Sequence, residues 1–151
     1  MININKEKNI EDCLEVDLNR FTVFVFSPDL TNGLAREYIE KYKNTSYKDK
    51  KITEIDVLIY SQLAYLPLDN IDFTNNKKYS LIEIANKINR KIFLESLIAQ
   101  RAALSLLDAI KNFPRFQDVF VTNYEYQTDK NSQFGAVSFL LPDKNVIIAY
   151  Q

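Results

Sequence analysis

The sequence divides into a helical part and a strand-rich part. Between Ile55 and Ile110, apolar residues recur at intervals of about three and four, which is the spacing of helices with one buried face. From Asp118 to Tyr150, β-branched and aromatic residues form short runs separated by turn residues, which is typical of strands. We therefore expect an α/β or α+β fold, in which an N-terminal strand-helix unit and a helical section precede a C-terminal antiparallel β-hairpin sheet.

Two capping boxes and two prolines predict where the main helices begin and end. Thr53-Glu-Ile-Asp56 and Ser80-Leu-Ile-Glu83 each place a hydroxyl and a carboxylate where they can satisfy the free amides of a helix start. The first of these helices should end before Pro67, because the residue that precedes a proline avoids the helical conformation. The longest helix is predicted over Phe93 to Asn112, and Pro114 follows its end.

Strands are predicted towards both ends of the chain. Phe21-Thr-Val-Phe-Val-Phe26 is the strongest strand pattern of the N-terminal third, and a helix is predicted over Leu34 to Tyr42. Near the C-terminus, strands from Phe134 to Leu141 and from Val146 to Tyr150 flank Pro142-Asp-Lys-Asn145, which fits a hairpin turn. Because the last strand is apolar on both faces, we expect it in the centre of a sheet, with a covering layer on each face.

A polar, lysine-rich segment at residues 43–51 predicts a linker and a boundary between two units. On this interpretation, residues 1–51 form a strand-helix segment with its linker, and residues 52–151 form the main region. The alternative is one compact domain, which is the usual result for a chain of 151 residues. Glu40 and Asp49 interrupt the lysines, so a solvated surface segment is preferred to an anion-binding patch.

Composition excludes several kinds of active site. The chain has no histidine, so it cannot build a Ser-His-Asp or Cys-His catalytic unit from its own atoms, and it lacks the commonest metal ligand. Only two glycines occur, which excludes the glycine-rich loops that cradle phosphates. Cys13 is the single cysteine, so no disulfide and no cysteine-based zinc site can form within the chain. The sequence therefore predicts no catalytic residue, no cofactor and no metal.

Charge and hydropathy limit the classes of binding partner and the cellular compartment that we expect. The net charge of −1 argues against a general nucleic-acid binder, which needs a basic surface. No apolar stretch approaches the ~20 residues that a membrane-spanning helix requires. The first residues carry charges of both signs and no apolar segment follows them, unlike a signal peptide. We expect a cytoplasmic protein, with secretion without a cleaved signal as the alternative.

Two groups of residues are candidate interaction surfaces for a protein partner. Tyr124 and Tyr126 lie two residues apart on a predicted strand and so share one face, where they either pack across strands or offer an exposed aromatic surface. An acidic group near the N-terminus forms either a solvated helix face or a patch for a basic protein; its members are Glu11, Asp12, Glu15 and Asp17. Asp69 and Asp72 could bind a hard cation, but no calcium-loop spacing follows them, so a capped loop is preferred.

Several segments follow one another in an order that resembles one enzyme family. Thr53-Glu-Ile-Asp-Val-Leu-Ile-Tyr-Ser-Gln-Leu-Ala-Tyr-Leu66 is similar to the first helix of that family. Further similar segments follow in the same order: Leu107-Asp-Ala-Ile-Lys-Asn-Phe-Pro-Arg-Phe116, Tyr124, Gln133-Phe-Gly-Ala-Val-Ser-Phe-Leu-Leu-Pro-Asp143 and Ile147-Ile-Ala-Tyr150. Over about residues 52–151, the chain resembles the N-terminal part of the Mbeg1-like lipase family of α/β-hydrolases.

The resemblance implies a hydrolase-like fold but carries over no catalytic residue. In that family, the strand that corresponds to Val146–Tyr150 leads into an Arg-Gly-Thr segment that helps to form the oxyanion hole. The Gly-x-Ser-x-Gly nucleophile elbow, the acid and the histidine come later. Here Gln151 stands in the place of the arginine, and no Gly-x-Ser-x-Gly occurs anywhere in the sequence. We therefore expect an α/β-hydrolase-like region without the catalytic residues.

Three functional hypotheses follow from the sequence. The first is a lipase-like region, truncated or degenerate, that is inactive by itself and that oligomerises through its final apolar strand. The second is a complete small protein that binds another protein, as an inhibitor, immunity or adaptor module does. The third is an enzyme that uses only Asp, Glu, Tyr and Lys, as two-carboxylate glycosidases do, although no spacing in the sequence singles out a carboxylate pair.

Overall fold

The computed structural model describes residues 34–90, 98–128 and 133–151. Its helices are α1 (Leu34–Tyr42), α2 (Glu54–Leu63), α3 (Leu81–Lys87) and α4 (Ile98–Ile110), and a 3₁₀ turn follows at Pro114–Phe116. Its strands are β1 (Tyr79–Ser80), β2 (Phe120–Thr128), β3 (Gln133–Leu140) and β4 (Val146–Tyr150). The predicted helices and strands that fall within these ranges are confirmed, with boundaries that differ by a few residues.

Both predicted capping boxes are confirmed. At the start of α2, Thr53 Oγ1 accepts a hydrogen bond from the Asp56 amide at 3.3 Å, and Asp56 Oδ2 accepts one from the Thr53 amide at 2.9 Å. At the start of α3, Ser80 and Glu83 make the equivalent pair of bonds at 3.2 and 2.8 Å. These bonds satisfy amides that have no partner inside the helix, which fixes where each helix begins. As predicted, α2 ends before Pro67.

The strands form one antiparallel sheet in the order β1-β2-β3-β4, so the fold is α+β. A bulge between Val121 and Asn123 interrupts the pairing of β2 with β3. The predicted β3–β4 hairpin is confirmed, and the amide of Leu141 closes its turn by donating to the carbonyl of Asn145 at 2.9 Å. Lys144 adopts a left-handed conformation with φ of 69° in that turn.

The described helices pack against one face of the sheet. Helix α2 contacts α4 and β4, while α3 contacts α4 and the first two strands. Val121, Val137 and Ala149 face the helices and are buried with apolar residues of α1, α2, α3 and α4 in a single cluster. On the opposite face, four large apolar side chains of β3 and β4 are exposed; they are Phe134, Val146, Ile148 and Tyr150. We call this surface the open face.

Two features differ from the sequence-based expectation. The segment at 43–51 is not a free linker, because Tyr47 is buried in the core and three carbonyls of the segment accept hydrogen bonds from Arg115. The lysines of this segment are typical of a loop, but the Tyr47 ring and the backbone carbonyls determine how the segment packs. Strand β4 lies at an edge of the sheet formed by the described residues, and these cover only one of its two apolar faces.

Some expectations lie outside the described residues. These are the N-terminal strand Phe21–Phe26, the surroundings of Cys13 and the first residues of the long helix predicted from Phe93. Within the described ranges, no helix combines the length and the apolar character that crossing a lipid bilayer requires.

Candidate functional site

The most polar part of the interior is an ion pair between Asp56 and Arg115. Asp56 is 0% exposed and Arg115 is 1% exposed, and the two side chains meet in a bidentate arrangement at 2.8 and 3.1 Å. The remaining guanidinium N–H groups donate to the backbone carbonyls of Thr45, Lys50 and Lys51 at 2.9, 3.2 and 3.4 Å. Every guanidinium N–H therefore has an acceptor, which is the condition under which a buried charge is tolerated.

Tyrosine hydroxyls complete the coordination of the Asp56 carboxylate. Tyr38 donates to Asp56 Oδ2 at 2.5 Å and Tyr47 donates to Oδ1 at 3.1 Å, while Tyr60 bonds to the Tyr47 hydroxyl at 2.8 Å. Burial raises the pKa of each of these tyrosines above its usual value, and the nearby Asp56 charge raises it further. The hydroxyls therefore stay protonated and remain donors. We call this set of five side chains the Asp56–Arg115 network.

The network has a structural role. It joins α1, the 43–51 segment and α2 to the turn at Arg115, which lies 59 residues beyond Asp56. Burial by itself lowers the pKa of Arg115, but the hydrogen bonds and charge of Asp56 raise it overall, so the guanidinium remains charged. Because all of these side chains are buried, they present no surface to a substrate. Sequence reasoning assigned Asp56 to a helix cap and did not find Arg115, because no local pattern marks an arginine whose partner lies 59 residues away.

An open groove lies between the 69–74 loop and residues 123–126 of β2. Its volume is about 480 Å³. The Tyr124 and Tyr126 rings lie parallel along it, with centroids 6.2 Å apart and an interplanar angle of 7°. The Tyr124 hydroxyl donates to Asp69 Oδ1 at 3.1 Å, which connects the strand to the loop. The structure thus brings the two predicted surface tyrosines together with Asp69, a residue that the sequence analysis considered separately. We call this the tyrosine groove.

The groove carries net negative charge. Its described lining includes Asp69 and Asp72 and no basic residue; Glu125 also belongs to it, but the alternation along β2 directs the Glu125 side chain to the face opposite Tyr124 and Tyr126. Lys77 pairs with Asp72 at 2.8 Å, and this hydrogen bond, with two more from Thr74, lowers the pKa of Asp72. Burial raises the pKa of Tyr124, and the adjacent Asp69 charge raises it further, so its hydroxyl stays protonated. The bonds from Thr74 cap the loop at Asp72, in agreement with the preferred interpretation.

Within the part of the chain that the structure describes, the other predicted residues form no further site. The acidic group, which consists of Glu11, Asp12, Glu15 and Asp17, lies outside the described residues. The Ser61 hydroxyl donates to the Val57 carbonyl of its own helix at 2.9 Å, as a structural serine does. Over residues 34–90, 98–128 and 133–151, no group of three or more His, Cys, Asp or Glu is placed to hold a metal ion.

Comparison with known proteins adds no assignment. No protein-family model, no curated protein and no solved structure matches this chain. The function must therefore be argued from the surfaces described above.

Proposed function

We propose that this chain is a lipase-like α/β-hydrolase region that has no hydrolase activity by itself and that binds a further polypeptide strand along β4. The observation that carries the proposal is the exposure of β4. Val146, Ile148 and Tyr150 are each more than half exposed on the open face, and no described strand pairs with the outer edge of β4. Exposed apolar edge strands recruit other strands, because their backbone groups lack partners.

The positions of the family-like segments support the proposal. Helix α2, the end of α4 and strands β3 and β4 carry the resemblance, and each contributes buried residues to the same apolar cluster. The parallel sheets of α/β proteins are covered on both faces, whereas the described helices cover one face of this antiparallel sheet. A hydrolase-like region would have an uncovered face of this kind wherever no second layer packs on its sheet. The absence of histidine and of a serine elbow supports the expectation that it has no activity alone.

The chemistry of β4 indicates the kind of strand that it binds. Neither β4 nor the exposed side chains of β3 beside it carry a charge, and Phe134 and Tyr150 pack together with ring centroids 5.6 Å apart. A charged strand would have to be desolvated there without a partner, which is unfavourable. The matching partner is an extended, uncharged strand with apolar residues on alternate positions. The β4 strand of a second copy meets this description, so self-association provides an assay.

A single substitution tests the binding surface. Ile148→Lys places a charge on the open face and leaves the core unchanged, because Ile148 points away from the helices. We expect concentration-dependent association of the unmodified chain in sedimentation velocity, and loss of it in the variant. Ile82→Lys is the matched control, since Ile82 is also an exposed isoleucine but lies on α3. Equal association of all three proteins would exclude β4 as the binding surface.

An ester-hydrolysis assay tests the other half of the proposal. The purified chain should release no more p-nitrophenol from p-nitrophenyl butyrate than buffer does, because the sequence holds no histidine to activate a serine. Turnover that remains proportional to the protein through successive purification steps would show that the chain is catalytic by other means.

A stand-alone protein-binding module is the second candidate. The observation that favours it is the continuous core, which joins residues from Tyr38 to Ala149 through one apolar cluster and the Asp56–Arg115 network. A chain that stays monomeric at all concentrations and unfolds in one cooperative transition would favour this candidate over the lipase-like region.

A further inference from the structure

The tyrosine groove presents an aromatic surface that is held in place. Hydrogen bonding to Asp69 fixes the Tyr124 ring, and Tyr126 stacks against it while 46% of its own surface stays exposed. The volume of about 480 Å³ falls within the range of natural ligand sites and exceeds that of one long side chain. An immobilised aromatic pair beside an open groove offers contact area at a low cost in conformational entropy.

The charge of the groove selects for a cation. Two carboxylates of the 69–74 loop line it, and Lys77 neutralises only one of them, Asp72. The faces of tyrosine rings are also negative and attract cations within about 6 Å of the ring centre. The carboxylates and the rings therefore act in the same direction. Phosphates and nucleic acids are repelled by the same charges, and the lining has no positive residue to offset this.

The edge of β2 indicates that the ligand is extended. Strand β1 pairs with β2 only at Val121 and Phe120, and no described strand continues this row beside residues 122–128. The groove lies along part of that edge, at residues 123–126. An extended segment can therefore lie beside β2 in line with β1, as strands do in β-augmentation, and direct one side chain into the groove.

We propose that the tyrosine groove binds the lysine or arginine side chain of an extended polypeptide segment that lies beside β2. The Tyr124 and Tyr126 rings contact the aliphatic stem and the charged group, while the Asp69 carboxylate attracts the charge. Arginine binds more tightly than lysine, because a planar guanidinium stacks on aromatic faces and an ammonium is more strongly hydrated. This site is on β2, two strands away from the β4 surface, and it does not depend on the proposed function.

Labelled peptides of one sequence with a single variable position test the proposal. A seven-residue peptide with alternating Thr and Val carries Arg, Lys or Gln at its centre, and its binding is followed by fluorescence anisotropy. We expect the Arg peptide to bind about tenfold more tightly than the Gln peptide, with Lys between them. Raising the salt concentration to about 0.5 M should remove most of this difference, because the carboxylates are exposed.

Two pairs of variants locate the binding. Tyr126→Ala should weaken the binding of the Arg peptide about tenfold, whereas Tyr150→Ala, which removes an exposed tyrosine of the open face, should leave it unchanged. Asp69→Asn, which keeps an oxygen to accept from the Tyr124 hydroxyl, should weaken it a few fold, whereas Glu37→Gln on α1 should not. All four substituted side chains are exposed, so the variants are expected to fold, and circular dichroism checks this.

Three outcomes would overturn the proposal. The first is equal binding of the Arg and Gln peptides, which would show that the groove does not read charge. The second is unchanged binding by Tyr126→Ala and Asp69→Asn, which would place the peptide elsewhere. The third is that a neutral sugar such as maltotriose shifts the NMR signals of the 123–126 amides, whereas the Arg peptide shifts none of them. Shifts confined to the 69–74 loop and to residues 123–126 on addition of the Arg peptide would support it.

Discussion

Arg115→Met should destabilise the chain more than any surface substitution of the same kind. Methionine nearly matches the length of arginine but removes the charge and every N–H donor. The Asp56 carboxylate would then stay buried without its cation, and three backbone carbonyls of the 43–51 segment would lose their donor. The Tyr47 ring would also lose the guanidinium that lies 4.0 Å from its centroid.

The expected loss follows from burial. Removing one partner of a buried ion pair costs about 3–5 kcal/mol, because the other charge is left uncompensated. The hydroxyls of Tyr38 and Tyr47 still donate to Asp56 and hold the loss towards the lower end of that range. Domains of this size have a total unfolding free energy of roughly 5–15 kcal/mol, so the loss is a large part of the whole. With a urea dependence of ~2 kcal/mol per molar, a loss of about 3 kcal/mol should lower the unfolding midpoint by about 1.5 M.

Arg90→Met is the matched control. Arg90 also makes a bidentate pair with a carboxylate, at 2.8 and 2.9 Å from Asp108, but its side chain is 45% exposed. Exposed pairs contribute about 0–1 kcal/mol, so the same substitution with the same pair geometry should have little effect. Equilibrium urea unfolding, followed by circular dichroism, gives both values.

Two further variants keep the test informative if Arg115→Met does not fold. Arg115→Lys retains the charge but loses the bidentate geometry, so it should be less destabilised than Arg115→Met. The double variant Asp56→Asn with Arg115→Met has no uncompensated charge. Its loss of unfolding free energy should therefore be smaller than the sum of the losses measured for Asp56→Asn and for Arg115→Met alone. Equal losses for Arg115→Met and Arg90→Met, both below about 1 kcal/mol, would refute the argument that burial makes this pair important.

Further predictions concern pH and packing. The three network tyrosines have raised pKa values, so their contribution to stability should be constant up to about pH 10 and fall above it, and absorbance at 295 nm should show these rings ionising only as the chain unfolds. Hydrogen bonds from Arg90 lower the pKa of Asp108, so this pair stabilises the chain above about pH 4 and less below it. In Asp108→Asn, the urea midpoint should therefore change less with pH below about pH 4 than it does in the unmodified chain. Gly135→Ala places a Cβ 2.7 Å from Gln151 Cδ, but Gln151 is exposed and can turn away with the loss of its hydrogen bond to the Ala64 carbonyl, so the free energy of unfolding should fall by no more than about 1 kcal/mol.

The local part of the fold could be predicted from the sequence. Both capping boxes use residues three positions apart, so Thr53 and Ser80 mark the starts of their helices without reference to the rest of the chain. The hairpin at residues 142–145 is similar, because its turn residues and flanking strands are adjacent in sequence. Signals of this kind are short-range, and the structure confirms them.

The sites depend on contacts that no local pattern contains. Arg115 meets Asp56 across 59 residues, and Tyr124 meets Asp69 across 55 residues. Asp56, Asp69 and Tyr124 also have a satisfactory local explanation, as a helix cap, a loop residue and a strand aromatic, and that explanation conceals the long-range partner. The spacing of Tyr124 and Tyr126 did predict their shared face, but it did not show which loop would lie opposite.

The apolar character of β4 illustrates the same limit. A strand that is apolar on both faces predicts two covering layers. Ala149 is buried beneath the helices, as that pattern requires, while Ile148 remains exposed on the open face. The apolar residues of β4 show which of its faces can be buried but not what covers them. The proposed function therefore assigns a partner strand to β4.

Backbone hydrogen exchange of β4 tests the account most directly. The probe is a synthetic peptide with the sequence of residues 145–151, added in excess to the chain and to its Ile148→Lys variant. If β4 binds a further strand, its outward-facing amides should exchange more slowly when the peptide is present, and only in the unmodified chain. Unchanged exchange of the β4 amides with saturating peptide would contradict the claim that this edge is built to receive another polypeptide.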